Sequence, residues 1–313
     1  MNHEGLDQLV LAWCEHELGP GTLEPIAPAD GGQMSTIFRF ETAAHTYIAI
    51  KVRDDSPARI DGCLKVQQLA ADSGLPCARP ITGAQTLAAG LVVSGEEWWP
   101  GGEMMAGDGP VQAGRSGELL AGLIRTLEPC SPEGLGPPPP WMDWNYTAGA
   151  LWPPNDPIDR MDQSLVPAWV GEMAERASER LRASVLPDVV GHGDWEAQNI
   201  RWKGRGAWAI HDWDSLVGLP EAAIVGAASG AFASARTPTL APIRSSAAFI
   251  RAYEQARGRT FSDDERQMAW AASLWPALHN ARGECLFQSS PVATTALNAQ
   301  GAERLALAHA GRC

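Results

Sequence analysis

At 313 residues, 45% of them hydrophobic, the chain can bury a substantial core, and two lobes are expected over one. A formal net charge of -13 excludes the basic stripe that nonspecific nucleic-acid binding needs, and suits solubility or a cationic small substrate. Six scattered cysteines with no Cys-x-x-Cys pair argue against a disulfide framework or zinc site. With an acidic, polar N-terminus and no run near the roughly 20 apolar residues of a membrane span, the expectation is a soluble cytoplasmic protein.

Leu6, Leu9, Val10 and Trp13 fall at helical spacing, and Gly19-Pro20-Gly21 ends the helix they predict over 6–18. Asp30-Gly31-Gly32-Gln33-Met34-Ser35-Thr36 reads as a small-residue turn between strands, and 37–40 as the strand after it. A third strand follows over 47–52, with Ile48, Ile50 and Val52 on one face and Tyr47, Ala49 and Lys51 on the other. Pro57 opens a helix over 57–72, closed by Ser73-Gly74 and Pro76. Ile81 and the run 87–94 read as further strands, and the segment 95–102 breaks the pattern, placing a lobe boundary at 97/98.

Residues 117–127 read as a helix, 128–157 as an irregular loop rich in proline and tryptophan, and 165–185 as a long helix. Short strands are expected at 189–190, 200–202 and 208–210. From Pro220 onward the pattern is helical, with helices predicted over 221–233, 242–257, 263–282 and 302–310.

The chemistry concentrates between 190 and 214. His192-Gly193-Asp194 is followed five residues after the Asp by Asn199, and a hairpin-like interval later by Asp212-Trp213-Asp214. An Asn and an Asp that converge make a hard, oxygen-rich site suited to Mg²⁺, and a carboxylate left off the metal can accept a hydroxyl proton. That is the equipment of phosphoryl transfer, in which positioning and charge neutralisation do most of the catalysis. Asp194 is then the base, with Asn199 and Asp212 as metal ligands. A lone loop Asp is more often a turn former, and it is the pairing with Asn199 and Asp212 that lifts the functional reading. His192 and Trp213 read as braces, and Asp214 as an acceptor for backbone N–H groups. Lys51 would hold phosphates, with Gly31, Gly32, Ser35 and Thr36 bringing backbone N–H groups or hydroxyls to them. The helix that begins at Pro57 contains Asp61 but no Glu.

The pattern His192-Gly193-Asp194, four residues, Asn199, then Asp212-Trp213-Asp214 resembles the signature of the aminoglycoside phosphotransferase family. The likeness extends in order through Lys51, the segment 69–80, and the segment 96–102 at the place of a hinge. It implies an α+β, two-lobed, protein-kinase-like fold, with a β-rich N-lobe over 1–97 and a mainly helical C-lobe over 98–313. It also implies Mg²⁺-dependent transfer of the γ-phosphate of ATP to a hydroxyl of a small cationic molecule: an aminoglycoside, another antibiotic, an amino sugar or an amino alcohol. Asp194 matches the family's catalytic Asp, Asn199 and Asp212 its metal ligands, Lys51 its phosphate-binding lysine, and Glu97 a nucleotide contact at the hinge.

Three departures stand out. Glu196 and Gln198 stand where many members carry His and Gly, the helix Glu is missing, and after Gly218 only Glu221 remains as an acid. Acceptor recognition points to Asp156, Asp159 and Asp162 and to Trp275, His279, Asn280 and Glu284, although Trp275 and Leu278 read equally as core. A nucleotide-binding scaffold without turnover is the alternative function. No nucleic-acid or membrane partner is expected, and the chain would be a monomer or homodimer.

Overall fold

Phe38 and Phe40 on one strand and Ile48, Ile50 and Val52 on the next alternate with period two, so each strand has an apolar face to bury. That face meets a helix. In the computed structural model, which describes residues 3–26, 35–87, 90–146, 150–235 and 237–309, helix α1 (His3–Leu18) brings Val10, Trp13 and Cys14 onto these five side chains. Strands β1 (Gly21–Pro25), β2 (Ser35–Thr42), β3 (Tyr47–Arg53), β4 (Gln85–Thr86) and β5 (Val92–Glu97) form an antiparallel sheet in the order β1-β2-β3-β5-β4. Helix α2 (Pro57–Asp72) packs Ile60 and Leu64 against Val92. The chain divides into two compact units, the first being Met1–Glu103 together with Trp202–Asp214. The expected cut at 97/98 thus moves by a few residues, and the first unit also takes the hairpin and turn that carry Asp212.

β3 carries the basic residues Lys51 and Arg53. It is central in the sheet, and from Ile48 to Arg53 both of its faces are covered. Ile81 makes no strand of its own, although its N–H donates to the carbonyl of Gly95 at 2.8 Å. The short strand β6 (Glu103–Met104) stands at the unit boundary.

The second unit, Met104–Arg201 and Ser215–Cys313, is mainly helical. Its helices are α3 (Pro110–Leu127), the short α4 (Asp156–Asp159), α5 (Ala168–Arg182), α6 (Glu221–Ala231), α7 (Ile243–Arg257), α8 (Asp263–Ala272), α9 (Trp275–Phe287) and α10 (Val292–Leu307). The long helix expected over 263–282 is two helices, because the chain turns at Ser273–Leu274 and Pro276 occupies the first turn of α9. α10 begins at Val292, ten residues before the expected helix (302 − 292), because Glu284 receives the backbone N–H groups of Ala293 and Thr294 at 2.7 and 2.9 Å.

α6 is buried on every side. Its Gly226 lets the backbone of α8 approach so closely that a Cβ there would stand 2.1 Å from the carbonyl oxygen of Ala269. Strand β7 (Asp188–His192) pairs antiparallel with β10 (Leu216–Pro220), where the sequence predicts no strand, in the register Leu216 opposite His192. Between them in sequence lie β8 (Ile200–Lys203) and β9 (Gly206–Ile210). Among the described residues no helix is long and apolar enough to cross a membrane.

Candidate active site

The polar face of β3 organises the first unit. Lys51 lies opposite Ser94 in the β3–β5 register, and Glu96 lies opposite Ala49, so the two charged residues are diagonal neighbours on one face. Lys51 Nζ stands 3.0 Å from Glu96 Oε1, and both side chains are about nine-tenths buried. Burial works against the lysine's charge, but Glu96, Asp214 and Asp212 outweigh it and hold the ammonium above its ordinary range. Asp61, the helix acid suggested by sequence, does not meet Lys51. It accepts the backbone N–H of Ala84 at 2.9 Å.

Two residues on from Lys51, Arg53 points to the same face. Its Nη1 donates to the Lys51 carbonyl at 2.9 Å, and its Nη2 to Ser94 Oγ at 2.9 Å and to Asp214 Oδ1 at 3.0 Å. Asp214 therefore answers a guanidinium, and not the backbone N–H groups expected of it. Burial would raise its carboxyl pKa, but Arg53 and then Lys51 pull it below the usual range. Arg59 of α2 donates to the Asp214 carbonyl at 2.8 Å, so sheet and helix both grip this turn. Asp212 sits at its start with φ +59°, a left-handed conformation that Asp tolerates better than most residues. Strain of this kind persists where the surroundings over-determine it, which is common at ligand sites. Trp213 braces the turn as expected, fully buried with its ring N–H on the Ile210 carbonyl at 2.9 Å.

Of the other nucleotide candidates, Ser35 and Thr36 open β2 opposite Arg53 and Val52, and Gly31 and Gly32 lie outside the described residues. Glu97 ends β5, where its carboxylate accepts the backbone N–H of Arg79 at 3.1 Å.

The catalytic-loop candidates belong to the second unit. Gly193 donates its N–H to the Ser215 carbonyl at 2.7 Å, and a Cβ on it would stand 2.8 Å from Val217 Cγ1. Its role is close packing against β10, with no left-handed backbone involved. His192, 1% exposed, accepts the backbone N–H of Asp194 on Nδ1 at 3.1 Å, so Nδ1 carries no proton and the ring braces the loop. Trp195 pins the loop from below through its ring N–H to Ser116 Oγ at 2.9 Å, and Trp141 donates to the Gly193 carbonyl at 3.2 Å. Asn199 Nδ2 donates to Asp194 Oδ2 at 2.7 Å and to its carbonyl at 2.9 Å. The amide thereby orients the carboxylate. Asp194 opens on a narrow cleft that Trp141, Glu196, Ala227, Ala231 and Pro276 help to line. Glu196 is buried there and accepts from Gln198 Nε2 at 2.8 Å.

The acceptor candidates fare unevenly. Trp275 is fully buried against Trp152, with ring centroids 5.3 Å apart, and belongs to the core. Both carboxylate oxygens of Glu284 are occupied at the start of α10, by Ala293 N–H on one and Thr294 N–H and Oγ1 on the other. Asp159 receives Arg282 Nη2 at 2.9 Å and the Asn155 N–H at 2.7 Å. Asp162 turns back on Ser164. These groups serve the scaffold. His279 is different: it lies edge-on to Trp141 at 6.4 Å, and its buried Nε2 has no hydrogen-bond partner among the described residues. Burial, and then the charge of Arg282, push its pKa down to about 4.

Sequence reasoning passed over Arg53, Glu96 and Gln67. The period-two relation of Arg53 to Lys51 was a usable signal. For Glu96 and Gln67 no local pattern exists, because each meets its partner through the fold of the sheet and helix. Glu221, noted as the one remaining acid, is buried between Tyr253 (2.6 Å) and the guanidinium groups of Arg257 (3.0 Å) and Arg259 (3.1 Å), a structural knot.

A model of the phosphotransferase enzyme family matches residues 25–271. Among curated proteins none matches the chain in sequence. Solved structures resemble it over nearly its whole length. The amicoumacin kinase hAmiN in complex with AMP-PNP, Ca²⁺ and Ami has a TM-score of 0.62 at 10% identity, covering 97% of this chain and 96% of that one. A thermostable mutant of aminoglycoside phosphotransferase APH(4)-Ia, with ADP and hygromycin B, gives 0.56 at 13%, covering 97% and 99%. The spectinomycin phosphotransferase APH(9)-Ia, with ADP and spectinomycin, gives 0.54 at 14%, covering 96% and 93%. At these identities the likeness establishes the kinase-like fold, as expected from sequence.

Proposed function

We infer, since this chain belongs to the aminoglycoside phosphotransferase family, that it moves the γ-phosphate of ATP to a hydroxyl of a small molecule. The observation that carries this reading is the loop in which Asn199 fixes the Asp194 carboxylate at 2.7 Å while His192 holds the Asp194 backbone. A carboxylate so oriented, at the mouth of a cleft, is placed to take the acceptor's proton as the hydroxyl oxygen attacks phosphorus. Lys51, kept charged by its acidic neighbours, holds nucleotide phosphates. Asn199 and Asp212 are the residues that would hold Mg²⁺, an amide and a carboxylate oxygen being suited to that hard cation. When bound, Mg²⁺ neutralises charge on the β- and γ-phosphates. Glu97 marks the strand end at which the adenine would meet the backbone, and Ser35 and Thr36 open the strand after the phosphate turn.

The acceptor we propose is a hydroxylated, cationic small molecule. Glu196 supports this, since it gives the cleft a buried carboxylate beside the half-buried Asp194. His279 is the remaining candidate contact. The scaffold alternative rested on the missing helix Glu. Lys51 has an acid in Glu96, so that motive falls away.

The test is an ADP-release screen with Mg²⁺ over aminoglycosides, other hydroxylated antibiotics, amino sugars and amino alcohols. With a turned-over acceptor, Asp194→Asn should cut kcat by about 10²-fold or more while leaving nucleotide binding nearly unchanged. Wild-type turnover in that variant would mean that another group is the base.

A further inference from the structure

We propose that Glu96 of β5 is the positioning residue that sets Lys51 for the nucleotide phosphates, taking the place of an acid on α2. The proposal rests on the kinase reading above and names a residue which that reading leaves unassigned.

Three observations carry it. First, the pair is made by neighbouring strands. Lys51 and Glu96 are cross-strand diagonal neighbours whose spacing is fixed by the β3–β5 hydrogen bonds, and Nζ and Oε1 meet at 3.0 Å. Second, α2 has no acid to offer. Its sixteen residues include only Asp61, which accepts from the Ala84 backbone, and Asp72, which pairs with Arg79. Third, α2 instead supplies a neutral brace. Gln67, 1% exposed, donates from Nε2 to Glu96 Oε2 at 2.9 Å and to the Ala78 carbonyl at 2.9 Å. One carboxylate oxygen is thus held by the helix and the other by the lysine.

The physical consequence concerns how the lysine is held. When a helix acid grips the strand lysine, the grip depends on where the helix stands. Here both charges belong to one sheet, so the lysine is preset by β3 and β5, and α2 adds only a hydrogen bond. Nucleotide affinity should therefore depend on Glu96 and be indifferent to Asp61.

The experiment measures the dissociation constant of ATP with Mg²⁺ by calorimetry, and the melting temperature, on the full chain. Four proteins are compared: wild type, Glu96→Gln, Asp61→Asn, and the exchange Gln67→Glu/Glu96→Gln. Glu96→Gln should weaken ATP by about tenfold or more, the size of one charge-assisted hydrogen bond. Asp61→Asn should bind as wild type does. The exchange keeps the same atoms and charge in the buried cluster, but puts a neutral amide oxygen against Nζ. It should recover the part of the melting temperature that depends on charge balance, short of the hydrogen bond Gln67 gave the Ala78 carbonyl, and leave ATP weakened. Full recovery of affinity in the exchange would show that only buried charge balance matters and would overturn the assignment, as would wild-type affinity in Glu96→Gln. If Glu96→Gln does not fold, the exchange alone decides. A wild-type chain that binds no ATP would sink the kinase reading and this assignment together. Binding by wild type with an indifferent Glu96 sinks the assignment alone.

Discussion

Truncating Asp214 to Ala removes one partner of a buried ion pair, and the structure sets the size of the loss. The side chains of Arg53 and Asp214 are 4% and 13% exposed, and Nη2 stands 3.0 Å from Oδ1. At an effective dielectric of about 20 the Coulomb attraction at that distance is about 5 kcal/mol, against which both groups have given up solvation. The charges near by are Lys51, Arg53 and Arg59 on one side, and Glu96, Asp214 and the half-buried Asp55 that pairs with Arg59 on the other. Without Asp214 that group carries an uncompensated cation, because Ser94 and the Lys51 carbonyl offer Arg53 only neutral acceptors. The expected cost is about 3–5 kcal/mol. At roughly 2–4 °C per kcal/mol, the melting temperature of the chain should fall by around 10 °C. Scanning calorimetry suits the measurement. The discriminating variant is Arg53→Met/Asp214→Ala. With both charges gone no orphan remains, and the double variant should be more stable than Asp214→Ala alone by about 2 kcal/mol. A double variant whose loss equals the sum of the single losses, within about 0.5 kcal/mol, would refute the reasoning, since it would mean the pair is not coupled.

Two further outcomes follow from packing and burial in the second unit. His279 has its pKa lowered to about 4 from 6.5, so the fold favours its neutral form. The stability it contributes is fully present above the unfolded value and is lost as pH falls from about 6.5 toward 4, up to about 3 kcal/mol, and His279→Gln should flatten that limb of the melting profile. An unchanged acid limb in the variant would place the titration elsewhere. Gly226→Ala would put a methyl 2.1 Å from the Ala269 carbonyl oxygen, and should cost about 3 kcal/mol or more because backbone, not a flexible side chain, must move. Gly122→Ala on α3, with open space around the new methyl, should stabilise by about 0.5–1 kcal/mol. Equal urea midpoints for these two variants would show that the α6–α8 contact is looser than it is drawn.

The difference between what could and could not be read from sequence has a physical cause. The loop chemistry is local: Asp194 and Asn199 lie five residues apart on one turn, so their spacing alone brings amide to carboxylate. Helix α2 was equally legible, since Pro57 at its first turn and Ser73-Gly74 at its end act on backbone next to them. Lys51 was legible as a strand residue, but its burial was not, because period two says which face a side chain takes and nothing of whether that face is covered. α10 escaped for the same reason: the group that caps it, Glu284, belongs to the preceding helix. Pro276 shows the ambiguity from the other side, for proline at a first helical turn and proline inside a helix are the same letter, and only the break at Ser273–Leu274 separates them.

Glu96 is the sharpest case. Of the acids on the expected helix, a rule about residue position made Asp61 the candidate for Lys51. The fold answers a different question, namely which carboxylate the hydrogen-bonded register brings to Nζ. Register joins β3 to a strand that follows an entire helix later, so no window of sequence contains both residues. Charge compensation of Lys51 is a requirement of burial, while the address of the compensating acid is a property of topology. A missing motif residue therefore does not by itself argue for lost function. In this chain the buried charge of Lys51 still has its partner.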